Sequence, residues 1–502
     1  MATVMQHTAT AITEATKLTT VDFATVKPLR SSRAANGIER SCIARDAMNL
    51  YGYIMAVGTY TRPWSSSECI SHATIFKALK HCITQHHALC TIVEDADTEA
   101  PQLRQASLMD LTKHVVTFDA VDDDGPENTL QFLRNAHDLP LHSGHPQWRV
   151  IQLPIRSKTE DRILLAFVCS HAFIDGRSTF SFHQTFLQAL QDIENIGFDS
   201  TPEFATPSNY TVPVAINDSG KLSISKELLQ AAKQGPDTDT PFWKGSSTRP
   251  EYPGPKFPLY KLELFTISHA LIQKSVLACR QHGSKLSALL DHVIARAISR
   301  ALHRRGQHHT QFACFTPVDL RNTLQYDSNE WGNIVSSNLE VIEVGSTTLD
   351  REPLLGSEDW EKIKNTTDLL LQRSKTFVDH VTHLLSYLPS VQNWLLGCLK
   401  MPRNESFTLS NVGSFDAPKA TDPSAWSIDD MRFSQHSYPA GPVFLFNFAS
   451  TKNGPLNLTL TWWPGAIGVG DDSQELAFVR EMCTDIVLFL ESVARDWDDL
   501  EQ

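Results

Sequence analysis

Long apolar runs are missing from this chain of 502 residues. No stretch reaches the ~20 residues that a membrane-spanning helix needs, and the polar, Thr-rich start up to about Thr20 lacks the apolar core of a secretory leader. Positive charge is also scarce. Lys and Arg total 44 against 57 Asp and Glu, a formal net charge of -13, which excludes a general nucleic-acid binder but leaves room for a local basic pocket. The nine cysteines are odd in number and contain no C-x-x-C pair, and Cys169 and Cys314 sit inside apolar runs. That pattern suits reduced, buried thiols in a cytoplasmic protein and excludes a disulfide framework. Organised metal-ligand spacing is absent too. The one histidine-rich string, His303-Arg304-Arg305-Gly306-Gln307-His308-His309, follows a helical pattern and reads as a solvated basic loop, near a cofactor mouth at most.

What is present divides the chain. Its length exceeds one ordinary core and predicts two domains, and no internal repeat is visible. Residues 1–32 read as a loosely ordered start, 33–199 as a mixed α/β half and 200–256 as a crossover linker. The linker carries Pro202, Pro207, Pro213, Pro236, Pro241, Pro250, Pro253 and Pro255. Residues 257–502 form the second half. There the patterns predict strands at Lys261–Ile267, Phe312–Phe315, Val335–Val344, Phe407–Leu409, Val443–Phe448 and Leu456–Trp462. Helices are predicted at His269–His282, Lys285–Leu302 and Gln474–Trp497. The segment Leu384–Leu399, broken by Pro389, reads as a pair of buried helices before it reads as a membrane-surface segment. Trp462-Trp463-Pro464-Gly465 reads as a strand ending in a turn rather than an aromatic clamp.

The most informative stretch is Cys169-Ser170-His171-Ala172-Phe173-Ile174-Asp175-Gly176. Before it, Ile163-Leu164-Leu165-Ala166-Phe167-Val168 has the continuous apolar run of a strand buried on both faces. After it, Phe182, Phe186, Leu187, Leu190 and Ile193 follow helical spacing. His171 therefore lies where a buried strand opens into a loop, a position that commonly carries reactive groups. A neutral histidine titrates near operating pH and is a natural general base. The alternative is a satisfied strand-end histidine with Asp175 capping the next turn.

His-x-x-x-Asp-Gly in this strand–turn–helix context resembles the active-site signature of the CoA-dependent acyltransferase superfamily, which includes chloramphenicol acetyltransferase, plant BAHD acyltransferases and peptide condensation domains. Further segments resemble its alcohol acetyltransferase-like branch. They are Gly37-Ile38-Glu39-Arg40 with Ala44-Arg45 and Tyr51; Phe76 to Ile83 with Gln85-His86-His87-Ala88-Leu89, where His87 replaces the family's proline; Thr316-Pro317-Val318-Asp319-Leu320-Arg321; Leu409-Ser410-Asn411-Val412-Gly413; and Phe433-Ser434-Gln435. The likeness runs from about Gly37 to about Gly465. Ser170 stands where condensation domains carry a first histidine. Asp327-Ser328-Asn329-Glu330-Trp331-Gly332-Asn333 does not match the late BAHD motif. Both departures favour the alcohol acetyltransferase-like branch.

The resemblance implies an α/β fold of two chloramphenicol acetyltransferase-like lobes, mixed sheets flanked by helices, with the active-site tunnel at their interface. It implies acyl transfer from acetyl-CoA or another acyl-CoA, a co-substrate rather than a permanently bound cofactor. The acceptor would be a hydroxyl, less readily an amine, of a small apolar metabolite, with His171 as general base and no acyl-enzyme or metal. Asp175 would pair with Arg321 to support the site and Gly176 would serve a tight turn through positive φ or close packing. Ser410, Asn411 or the backbone around Trp331-Gly332-Asn333 would face the oxyanion, unless they merely satisfy strand ends. One chain supplies both lobes, so a monomer suffices. Two alternatives stand beside this reading: an acyl carrier protein as donor, and a catalytically silent binding protein of the same fold.

Overall fold

The computed structural model describes residues 31–63, 70–213, 215–216, 220–234, 241–247, 260–345, 354–420 and 422–501. Most of the expected loose start, together with Pro236, Pro250, Pro253 and Pro255 of the linker, lies outside the described residues. The first half runs β1 (Ser32–Ala34), α1 (Ile38–Ala47), β2 (Tyr53–Pro63), α2 (His72–Gln85), β3 (Thr91–Glu94), β4 (Gln102–Gln105), β5 (Leu108–Asp110), β6 (Val115–Thr117), α3 (Pro126–Asp138), β7 (Trp148–Ile155), β8 (Glu160–Ser170) and α4 (Gly176–Gln191). The linker region contributes β9 (Glu203–Ala205) and α5 (Lys226–Gln234), two short elements that its prolines do not predict. The second half runs β10 (Lys261–Ile267), α6 (His269–Gln281), α7 (Leu286–His303), β11 (Gln311–Asp319), α8 (Arg321–Leu324), β12 (Val335–Glu343), α9 (Ser357–Arg373), α10 (Val391–Lys400), β13 (Phe407–Phe415), β14 (Ser427–Gln435), β15 (Phe444–Thr451), β16 (Leu456–Trp462) and α11 (Asp472–Glu501).

Two mixed sheets organise these elements into two lobes. The first has the order β14-β2-β8-β7-β6 and the second the order β10-β16-β15-β13-β11-β12. β8 is central in the first, antiparallel to both β2 and β7. Its side chains alternate between two apolar layers, as strand geometry requires. Ile163, Leu165, Phe167 and Cys169 pack with Ile75 and Leu79 of α2 and with Phe182 and Phe186 of α4. Leu164, Ala166 and Val168 pack with Phe132, Leu133 and Ala136 of α3 and with Leu262 of β10. An antiparallel strand can therefore read as a continuous apolar run, because helices cover both of its faces.

β14 lies between β13 and β15 in sequence yet pairs with β2 at the edge of the other lobe's sheet. Its backbone carbonyls meet a row of polar side chains on β16. Asn457 Nδ2 donates to Met431 O at 2.9 Å, Thr459 Oγ1 to Phe433 O at 2.6 Å and Thr461 Oγ1 to Gln435 O at 2.9 Å. These three residues alternate with Leu456, Leu458, Leu460 and Trp462, which fill the second core. A strand that reads as half-solvated in sequence is thus buried on both faces, and its polar face joins the two lobes. The linker also bridges them, with Tyr210 and Val212 in the first core and Trp243 in the second.

The basic string after α7 is a partly exposed loop, anchored at its start: Arg304 holds Asp485 through two bonds of 2.6 and 2.7 Å, and Arg305 pairs with Glu481 at 2.9 Å, both acids lying on α11. The Leu384–Leu399 segment is a 3-10 helix, Val381–Tyr387, followed by α10. Val391, Leu395 and Leu399 pack on Ala44 and Leu50, while Tyr387 and Trp394 stay exposed. No helix among the described residues is long and apolar enough to cross a membrane.

The seam ladder predicts that Thr459→Val, nearly isosteric but unable to donate, costs about 1–2 kcal/mol by leaving Phe433 O unpaired. A lowered urea midpoint would show this, and an unchanged midpoint would mean that the ladder does not hold the lobes together.

Candidate active site

β8 leaves the first sheet at Ser170, and α4 begins six residues later with Asp175 as its N-cap. The capping is chemical as well as geometric, since Asp175 Oδ1 accepts from Ser178 N at 2.9 Å. The intervening turn carries His171. Its Nδ1 lies 2.9 Å from Ile174 O. A carbonyl can only accept, and this bond is shorter than the 3.3 Å approach of the Asn333 Nδ2 amide to the same nitrogen, so the imidazole proton is assigned to Nδ1 and the Nε2 lone pair is left uncommitted. Asn333 reaches in from the loop before β12, donating from Nδ2 to His171 O at 2.7 Å. Asn333 thus holds the histidine turn through its side chain, whereas the sequence suggested only the backbone of its segment.

Asp175 points away from the imidazole. Besides Ser178 N it accepts from Ser178 Oγ at 3.0 Å and Arg321 Nη2 at 2.9 Å through Oδ1, and from Ile334 N at 3.0 Å through Oδ2. The Arg321 side chain is equally committed: Nε donates to Glu330 O at 3.0 Å and Nη1 to Asp319 Oδ1 at 3.0 Å. Asp175 and Arg321 are each 1% exposed. A buried ion pair is tolerable only when its remaining hydrogen-bonding groups are satisfied, as they are here. The pair ties the start of α4 in one lobe to the loop from α8 to β12 in the other.

Gly176 is needed for space. A Cβ there would lie 2.9 Å from Val412 Cγ2 and 3.1 Å from Phe433 Cζ, so close packing, and not positive φ, is the reason for glycine. Val412 belongs to a bulge in β13 between Asn411 and Gly413. Asn411 holds that bulge by accepting from Gly413 N at 3.0 Å, and it donates to Ser287 Oγ at 3.1 Å. No described contact joins Ser410 or Asn411 to His171. By holding the bulge, Asn411 sets Val412 against the first turn of α4.

The electrostatics around His171 come largely from α1. Burial first, then the positive Arg45, lower the imidazole to about 4 against the opposing effect of Asp175. Tyr51 lies beside it, ring centroids 6.5 Å apart, and the Arg45 guanidinium carbon stands 4.8 Å from the Tyr51 ring centroid. Ser170 donates to Asp46 Oδ2 at 2.5 Å, and burial raises that carboxyl to about 7. In the sequence Arg45 and Tyr51 stand among the residues that resemble the alcohol acetyltransferase-like branch; no local pattern marks them as neighbours of His171.

Neighbours of His171 line two cavities. One, of about 180 Å³, is bounded by Phe173, Trp331, Asn333, Ile38 and Ile334. Through Trp331, Glu330 and Pro213 it adjoins a larger cavity of about 590 Å³ beside His86 and His87. The other, of about 90 Å³, is bounded by Arg45, Glu405, Tyr438 and Trp394.

Comparison with known proteins agrees with this architecture. The model of the alcohol acetyltransferase family matches residues 111–483. A protein of Fusarium pseudograminearum named probable alcohol acetyltransferase is 23% identical over 474 residues, covering 88% of this chain and 93% of its own. One of the same description from Aspergillus fumigatus is 20% identical over 431 residues, covering 81% and 89%. Among solved structures, the trichothecene 15-O-acetyltransferase of Fusarium sporotrichioides superposes with a TM-score of 0.65 at 14% identity, covering 91% of this chain and 95% of that one. The condensation domain of the monacolin K polyketide synthase gives 0.56 at 12% identity, covering 93% and 99%. These two likenesses establish the two-lobed fold.

Removing either partner of the buried pair, by Asp175→Asn or Arg321→Ala, is expected to cost about 3–5 kcal/mol and to reduce soluble yield. Wild-type melting temperatures for both variants would contradict that structural role.

Proposed function

Since the chain belongs to the alcohol acetyltransferase family and is thereby an acyltransferase, we propose that it transfers an acetyl group from acetyl-CoA to a hydroxyl of a small apolar metabolite, with His171 as the general base. As the acceptor oxygen attacks the thioester carbonyl carbon, its proton passes to Nε2. The tetrahedral intermediate then collapses, the carbon–sulfur bond breaks, and the imidazolium returns the proton to the departing thiolate. No acyl-enzyme forms, because the histidine handles only the proton and the thioester is already activated. The observation that carries this reading is the 2.9 Å bond from Nδ1 to Ile174 O, which leaves Nε2 as the free base. An amine is the less suitable acceptor, being protonated at neutral pH and needing a base that can first release it. The family match favours neither a carrier-protein donor nor a silent binding protein. One chain carries both lobes, so a monomer is sufficient.

Free thiol released from acetyl-CoA in the presence of a panel of alcohols tests the proposal. Acceptor-dependent release should fall about 10²–10⁴-fold in His171→Ala at equal folded concentration. Release that persists in the variant would remove His171 from the role of base.

The depressed imidazole sets the pH dependence. A base near 4 is neutral throughout the ordinary range and is lost only as pH falls through that value. The kcat/KM profile should therefore stay flat from about pH 8 to about pH 6 and decline only below about pH 5. An acid limb near the ordinary histidine value would mean that burial and Arg45 do not act on the reacting group.

A further inference from the structure

Arg45 is a half-buried arginine without an ion pair among the described residues, a state it shares with the buried Arg149. Arg321 has Asp175, Arg296 has Asp359 and Arg300 has Asp485, whereas no carboxylate among the described residues forms an ion pair with Arg45. Its Nη2 points at Cys42 Sγ, 2.9 Å away, a weak acceptor for a charged donor. Its Nε is buried with no hydrogen-bond partner. The guanidinium lies over Tyr51 and Tyr438, 4.8 and 5.3 Å from their ring centroids, and also bonds the Tyr438 side chain; the donors that these contacts leave can take an oxygen ligand.

Arg45 is partly exposed and lines the cavity of about 90 Å³ with Ser41, Glu405, Tyr438 and Trp394. Tyr51 lies between Arg45 and the reactive turn, its ring centroid 4.8 Å from the guanidinium carbon and 6.5 Å from the His171 ring centroid. Trp394, 40% exposed, stands at the cavity rim and presents an apolar surface to an entering molecule. Resting on the acyl-transfer reading and extending it to the acceptor, we propose that Arg45 is a specificity-determining residue that binds a second oxygen of the acceptor, a carbonyl or ether oxygen on an otherwise apolar alcohol.

Glu405 distinguishes a neutral oxygen from a carboxylate. It lines the same cavity, and burial raises its carboxyl to about 7 while Arg45 opposes the shift. A ligand anion would meet a second acidic group there, whereas a carbonyl or ether oxygen accepts from Arg45 without opposing Glu405.

Two shape-matched probes test the assignment: methyl para-(hydroxymethyl)benzoate, which carries an ester oxygen across the ring from its hydroxyl, and para-isopropylbenzyl alcohol, which does not. With acetyl-CoA as donor, wild-type protein should favour the ester in kcat/KM by about tenfold, the size of one hydrogen bond to a charged group. Arg45→Gln should bring that ratio close to one, and Arg45→Lys, which keeps the charge but loses the fork, should recover part of it. Because any effect of Arg45 on the base is common to both alcohols, the ratio isolates recognition. Calorimetric titration of the ester should show about tenfold weaker binding to Arg45→Gln. A preference that survives Arg45→Gln, or ester binding that does not weaken in it, overturns the inference. If wild-type protein acylates neither alcohol, the acyl-transfer reading fails, and the titration alone decides whether Arg45 binds the oxygen.

Discussion

The carboxylate of Asp175 is the point at which the two lobes and the reactive turn are made one object. A buried charge demands that its lone pairs be used, and the partners that use them come from different parts of the fold: Ser178 on α4, Arg321 at the start of α8 and the Ile334 backbone before β12. Satisfying that charge draws the loop before β12 against the first turn of α4. Asn333 belongs to this loop and so comes within 2.7 Å of the His171 carbonyl. The histidine is then held from both sides, by the Ile174 carbonyl in its own turn and by an amide from the other lobe. The aspartate positions the site without approaching the imidazole.

Around that pair the lobes meet through polar contacts that exclude water. The row of Asn457, Thr459 and Thr461 on β16 meets successive odd-numbered carbonyls of β14, from Met431 to Gln435. Each donor matches one acceptor because both strands share the two-residue side-chain period. An apolar seam could slide by small repacking steps. A ladder of hydrogen bonds is satisfied only in register, and the register of β14 also decides where Phe433 stands against Gly176.

The charge balance at His171 is set by opposing neighbours. Burial and the Arg45 cation disfavour the imidazolium, while Asp175 supports it less strongly. The resulting base is weak but neutral above about pH 5, and the cation that weakens it is the one proposed to bind the acceptor. Arg45 therefore connects two properties of the proposed reaction, the acid limit of the base and the choice of acceptor.

The sequence by itself determined the local elements of this site. The apolar run ending at Val168, the glycine after Asp175 and the helical spacing beyond it specify strand, turn and helix, because backbone preference and side-chain period act over a few residues. Lys261–Ile267 and Leu456–Trp462 were legible for the same reason, as was the length that calls for two cores. Tertiary structure decided what no local pattern encodes. β14 crosses to the other lobe, and the polar face of β16 is buried rather than wet, because its donors have carbonyl partners that are distant in sequence. Asn411, at the β13 bulge, bonds Ser287 of α7, a partner distant in sequence. Arg45 comes to stand near His171 although the two are 126 positions apart in the chain, because the end of α1 packs where β2 and β8 deliver Tyr51 and the reactive turn. Charges act through space, and only the fold sets those distances.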